Sequence, residues 1–300
     1  MRAFFEWLGR HPLPAIAGAV LAIVVIIALT VGITSLFIGR TPAPEAESDA
    51  PAASPQSSPP PSPLPSGDTA TDQPTPEPAA NVRRVYPMHT GIVSTTFWVG
   101  EIFDPNASDG SQMLSTYDSA WFANYGGCDG VTTASGCDTE ARTATNGFFP
   151  TAMAPRQNPF YLDLPYDDLN NAAAFASRAA TIPWANDPGY AGHDTDTSFS
   201  YMKNRWVRIV RGSQTCYGQI QDAGPGQYND AAYVFGSNDA RPANTKFNGA
   251  GMDVSPALNG CLGFRDLNGE NDVVSWQFVE ASDVPAGPWL NLVTTSGVTR

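Results

Sequence analysis

The feature that most constrains this chain is a run without charge near its start. From Pro14 to Ile38 no residue is ionisable, and most side chains are Ala, Val, Ile or Leu. At 1.5 Å rise per residue, a helix over Ala15–Ile38 would span about 36 Å, enough to cross a hydrocarbon core of about 30 Å with some tilt. Pro14 suits the first helical position, where its missing N–H is not needed. The h-region of a cleaved signal peptide is shorter and ends at a small-residue site, whereas Gly39-Arg40 follows this run. The run is therefore expected to be an uncleaved anchor over residues 14–38. Arg2 and Arg10 precede it, and only Arg40 lies just beyond. That bias keeps residues 1–13 in the cytoplasm and sends the rest outside, as a single-pass protein of the cell membrane.

Residues 39–82 are rich in Pro, Ala, Ser and Thr, and carry Glu45, Glu47, Asp49, Asp68, Asp72 and Glu77. With almost no large apolar side chain, this stretch cannot offset its ordering entropy. It is expected to be a disordered linker, stiffened by prolines such as Pro59-Pro60-Pro61 into a spacer. Residues 83–300 have the size of one domain. They hold 22 acidic and 13 basic residues, a balance that argues against a nucleic-acid partner. Neither a Gly-x-Ser-x-Gly nor a phosphate-binding glycine loop occurs, so serine-hydrolase and nucleotide chemistry have no support.

All four cysteines (Cys128, Cys137, Cys216 and Cys261) fall in this outer part. An even count on the oxidising side implies two disulfides. Of three possible connectivities, Cys128–Cys137 is favoured by proximity and Cys216–Cys261 by remainder. No Cys-x-x-Cys pair is present and histidines are few, so no metal site or cofactor is expected.

Strand-like runs dominate the outer domain: residues 91–98, 159–164, 205–210, 216–221 and 273–279. In the last, Val274, Trp276 and Phe278 alternate with Ser275 and Gln277, as on a half-buried strand. Two short helices are expected. One covers residues 170–178. The other opens at Ser255-Pro256, an N-cap residue followed by proline, and runs toward Asn259. Residues 181–200 read as a loop.

Four blocks carry the candidate chemistry: Ser94-Thr95-Thr96-Phe97-Trp98-Val99-Gly100-Glu101, Phe160-Tyr161-Leu162-Asp163-Leu164-Pro165-Tyr166-Asp167-Asp168, Cys216-Tyr217-Gly218-Gln219-Ile220-Gln221-Asp222-Ala223-Gly224-Pro225, and Gly251-Met252-Asp253-Val254-Ser255-Pro256. In this order they resemble the double-psi β-barrels of rare lipoprotein A, expansins and glycoside hydrolase family 45. Those show an opening Thr-x-Tyr/Phe strand, a Leu-Pro before the middle strands, a strand ending in Asp-x-x-Pro, and Asp-Leu-Ser opening a short helix. The resemblance covers roughly residues 91–279, with insertions after Glu101 and Asp168. It implies a mainly β fold, a six-stranded double-psi β-barrel with loop insertions and one or two short helices.

By the same resemblance, Asp222 matches an Asp implicated in cleaving glycan strands, and Asp253 matches the general acid of the family 45 hydrolases. Ala223 stands where the lytic enzymes usually carry Arg. Leu162-Asp163 stands where they place a His before the Leu-Pro block. The implied partner is a cell-wall or extracellular polysaccharide. Cleavage needs one carboxylic acid to protonate the leaving oxygen; hydrolysis with inversion needs a second carboxylate as base. Glu101, Asp168 and Asp167 are candidates for that second group. Trp98, Tyr166 and Tyr217 are candidates to stack on sugar rings. The competing reading is a non-catalytic, expansin-like module that binds wall polymer.

Overall fold

The computed structural model describes residues 84–107 and 110–300. The expected membrane helix over 14–38 and the linker over 39–82 lie outside the described residues. In chain order the elements are β1 (His89–Thr96), α1 (Trp121–Tyr125), β2 (Val131–Thr133), β3 (Gly136–Asp138), β4 (Tyr161–Leu164) and α2 (Ala172–Thr181). They continue with β5 (Trp206–Arg211), β6 (Gln214–Ala223), α3 (Ala231–Val234), β7 (Met252–Val254), α4 (Pro256–Leu262) and β8 (Asp272–Val279). Among the described residues, no helix is long and apolar enough to cross a membrane.

Six strands close into a barrel in the order β1-β7-β4-β6-β5-β8. The sheet is mixed. β1 runs parallel to β7 and β4 parallel to β6, while the other neighbours are antiparallel. Closure leaves no unpaired edge. β2 and β3 form a separate two-stranded hairpin inside the insertion that follows β1.

The barrel is filled by side chains. On β8, Val274, Trp276 and Phe278 are buried while Val273 is half exposed, the alternation expected of a strand with one face on a core. Ile92, Leu162, Val207, Ile209, Ile220 and Val254 meet them from the other strands. Gly218 on β6 lets the wall close: a Cβ there would come within 2.8 Å of Leu162 and of Leu258.

Both helix starts are set by side-chain caps. Asn171 accepts from the N–H groups of Ala173 and Ala174, so α2 begins at Ala172 rather than at Asn170. Ser255 accepts from the Leu258 N–H with Pro256 at the first turn, and α4 then extends past Asn259 to Leu262. Residues 182–200 form no helix or strand, yet they are anchored from inside. The buried Arg178 guanidinium donates to the carbonyls of His193, Asp194, Asp196 and Phe199.

Two disulfides are present, Cys128–Cys137 and Cys216–Cys261. The first fixes the β2–β3 hairpin region. The second ties β6 to α4.

Candidate active site

The sites grow from register. In the antiparallel β4–β7 pair, Asp163 lies opposite Asp253. In the parallel β1–β7 pair, Thr95 lies opposite Asp253. Between β4 and β6 the register shifts: Leu162 pairs with Ile220, and the next residue, Asp163, pairs with Asp222. Gln221 is the extra residue. A bulge of this kind re-aims the side chain beyond it, and here it brings Asp222 across from Asp163. Thr95, Asp253, Asp163 and Asp222 thus form one row across four adjacent strands.

Each carboxylate is held differently. Thr95 donates its hydroxyl to Asp253 Oδ1. Asp163 Oδ1 accepts the backbone N–H of Asp253 at 3.0 Å, and its other oxygen faces Gly224, where a Cβ would come within 2.8 Å of it. The glycine of the Asp-x-Gly-Pro turn therefore leaves room for the Asp163 carboxylate. Asp222 Oδ1 accepts from the N–H groups of Thr116 at 2.7 Å and Ala223 at 2.8 Å. Lys203, almost fully buried, approaches from outside the row and donates its ammonium to Gln221 Oε1 at 2.9 Å.

Burial of several acids in one place favours their protonated forms. Burial raises Asp222 to about 6, against the pull of its two backbone donors. Burial, with Glu101 and Asp222 nearby, pushes Asp253 up to about 8. Burial and the charges of Asp253 and Asp222 drive Asp163 well above the carboxylate range. Burial lifts Glu101 to about 7. Asp253 is the most exposed of the three aspartates in the row. The cluster thus holds a protonated acid and an ionised carboxylate together near neutral pH, the separation that acid–base chemistry needs.

The other candidates are spread over the domain. Asp168 is fully buried, accepts from Ser200 Oγ and the Tyr201 N–H, and faces Arg178 at 3.8 Å. Its carboxylate holds the 182–200 loop and meets no surface. Asp167 accepts from the N–H groups of Leu169 and Asn170, an Asx turn ahead of α2. Tyr166 is 1% exposed, packs edge-on to Phe235 and donates to the Ala174 carbonyl, so its ring is unavailable to a sugar.

Trp98 donates its indole N–H to the Cys137 carbonyl and borders a cavity of about 490 Å³ shared with Asp138, Thr139, Asp266, Leu267 and Asn268. Gly100, at φ +90°, makes the turn between Trp98 and Glu101, and a Cβ there would collide with Phe122. Tyr217 lies on the outer face of β6 in a different cavity. Among the described residues, no group of His, Cys, Asp and Glu is placed to hold a metal ion.

Asp163 is the member that motif reasoning passes over, because it stands where the resembled family has another residue type. Its signal is physical. It is an ionisable residue between Leu162 and Leu164 on a strand that is buried throughout, and such residues are rarely fully buried unless paired.

Comparison with family models, with curated proteins and with solved structures finds no match to this chain.

Proposed function

We propose that this domain cleaves glycosidic bonds in a cell-wall or extracellular polysaccharide, with Asp253 as general acid. The observation that carries the reading is the row of Asp253, Asp163 and Asp222 on three neighbouring strands, with Glu101 beside it. Asp253 gives its proton to the glycosidic oxygen as the C1–O bond breaks. The electron-poor C1 is then taken either by water, whose proton passes to Asp222 or Glu101, or by the sugar's own 6-hydroxyl, whose proton returns to Asp253. The first outcome leaves a new reducing end and the second an anhydro-sugar. The closed mixed barrel and the order of the four blocks support a relationship to the double-psi barrels of rare lipoprotein A and expansins. The charge pattern around residues 14–38 supports a domain held outside the cell membrane. Protease added to intact cells is expected to remove it, and protection until lysis would refute that location.

The test is to incubate the full chain with purified peptidoglycan and, separately, with β-glucans, and to read the products by mass spectrometry. Reducing-end and anhydro products differ by one water. Release by the wild type that is lost in Asp253→Asn supports the proposal. No release, with the chain still sedimenting with the polymer, overturns cleavage and favours the non-catalytic, expansin-like reading.

A further inference from the structure

A second cavity, of about 660 Å³, opens on the outer wall of the barrel. It lies away from the acid row: Tyr217 precedes Asp222 by five residues on β6, roughly 16 Å at about 3.3 Å per residue. Its floor is a row across three strands. Arg208 on β5 pairs with Tyr217 on β6 and with Gln277 on β8. Trp289, from the segment after β8, stands over one side with its ring 5.0 Å from that of Tyr217.

Arg208 is the reason to look here. Among the described residues it is the arginine that is half-buried and has neither a hydrogen bond nor an ion pair. Arg84, Arg142, Arg178, Arg205 and Arg211 each have partners, and Arg156 and Arg265 are exposed. None of its guanidinium nitrogens is enclosed, so they face the cavity with their charge-assisted bonds open to a ligand. The Gln277 amide and the Tyr217 hydroxyl beside it are likewise without hydrogen-bond partners, so the floor presents donors to whatever enters.

We propose that this cavity binds a carboxylate-bearing sugar unit of a polysaccharide, separately from the acid row. The planar guanidinium of Arg208 matches a carboxylate in a two-bond fork. The half-buried Tyr217 ring offers a face to pyranose C–H groups, supported by the buried Trp289 ring packed beside it, and the Gln277 amide and Thr215 hydroxyl reach ring hydroxyls. The volume falls in the range of small-ligand sites. Charge selects a monoanion over a dianion. Arg84 is already paired with Asp187, and the domain carries a net negative charge. A phosphate would meet one free guanidinium and surplus negative field.

The assay is isothermal titration of the full chain in mild detergent. The ligands are a trigalacturonate, a disaccharide containing a lactyl-ether amino sugar, and the carboxyl-reduced form of each. Binding of either acidic sugar at least tenfold tighter than its reduced form, and at least tenfold weaker in Arg208→Gln, is the expected result. Which of the two binds names the source of the carboxylate. Asp253→Asn should leave this affinity unchanged, which separates the site from cleavage. Circular dichroism checks that Arg208→Gln folds, and Gln277→Ala, which removes no charge, should weaken binding less. Equal affinity for acidic and reduced sugars, no binding of either, or equal affinity in Arg208→Gln overturns the proposal.

Discussion

Asp253 and Asp168 are both acids drawn out of water, and their neighbours give them opposite work. Asp168 has a hydroxyl, a backbone N–H and a guanidinium around it, with no route to the surface. Asp253 has one hydroxyl donor and three other acids nearby, Glu101, Asp222 and Asp163. Removing the partner of a buried ion pair costs about 3–5 kcal/mol. Asp168→Ala is therefore expected to lower unfolding free energy by about 3 kcal/mol in urea titration, while protein that remains folded keeps its chemistry. Asp253→Asn is expected to lower glycan cleavage by at least 100-fold with no loss of melting temperature at pH 7, because the amide oxygen still accepts from Thr95. A large drop in stability for Asp253→Asn would make that residue structural. Glu101 adds a finer check. Its charge helps to raise Asp253, so Glu101→Gln should move the alkaline limb of the pH–rate profile to lower pH. An unmoved limb would mean that Asp253 is not the acid being titrated.

The disulfides divide by the elements they join. Cys216–Cys261 spans 45 positions and links a barrel strand to the helix packed on it, whereas Cys128–Cys137 spans 9 within the insertion. On chain-entropy grounds the first contributes about 4 kcal/mol and the second about 3 kcal/mol. The double variant Cys216→Ala/Cys261→Ala should thus unfold at lower urea than Cys128→Ala/Cys137→Ala. The latter should instead weaken polymer binding, since the Trp98 indole is held by the Cys137 carbonyl. The reverse order would show that the insertion, not the barrel, limits stability. Element by element, β8 and α4 were legible because they carry their own signals, an apolar alternation and a Ser-Pro cap. β7 was not. Its three residues are too few for any period, and it exists because β1 and β4 flank it. The same limit hid the site. Asp222 and Asp253 could be read from short motifs, but their meeting depends on Asp163 and on the Gln221 bulge, and cross-strand register is not written in local pattern.

Over the whole molecule these acids set an unusual response to pH. In the unfolded chain their carboxyls titrate near 4. In the folded chain Asp222 and Asp168 titrate at about 6, Glu101 at about 7 and Asp253 at about 8, with Asp163 also raised. Between pH 4 and 8 the folded state therefore holds more protons than the unfolded one, and stability falls as pH rises through that window. The opposing group is His89, stacked on Trp276 and lowered to about 4 by burial. Its neutral form suits the fold, so its contribution is lost as pH falls from 6.5 to 4. One imidazole against five carboxyls does not reverse the trend. Lys203, lowered to about 8 by burial, acts only above that pH. The melting temperature is thus expected to be higher at pH 5 than at pH 8. Asp222 alone accounts for about 1 kcal/mol of that difference, because its unfolded carboxyl is already ionised at pH 5 and only the single unit up to its folded value of about 6 counts, at 1.36 kcal/mol per unit. Asp253→Asn should flatten the upper part of the curve and raise the pH 8 melting temperature above that of the wild type, since the amide never ionises. Differential scanning calorimetry of both proteins from pH 4.5 to 8.5 decides the point. A wild type that melts lower at pH 5 than at pH 8 would mean that the row is ionised in the folded barrel, and Asp253 would then have no proton to give near neutral pH.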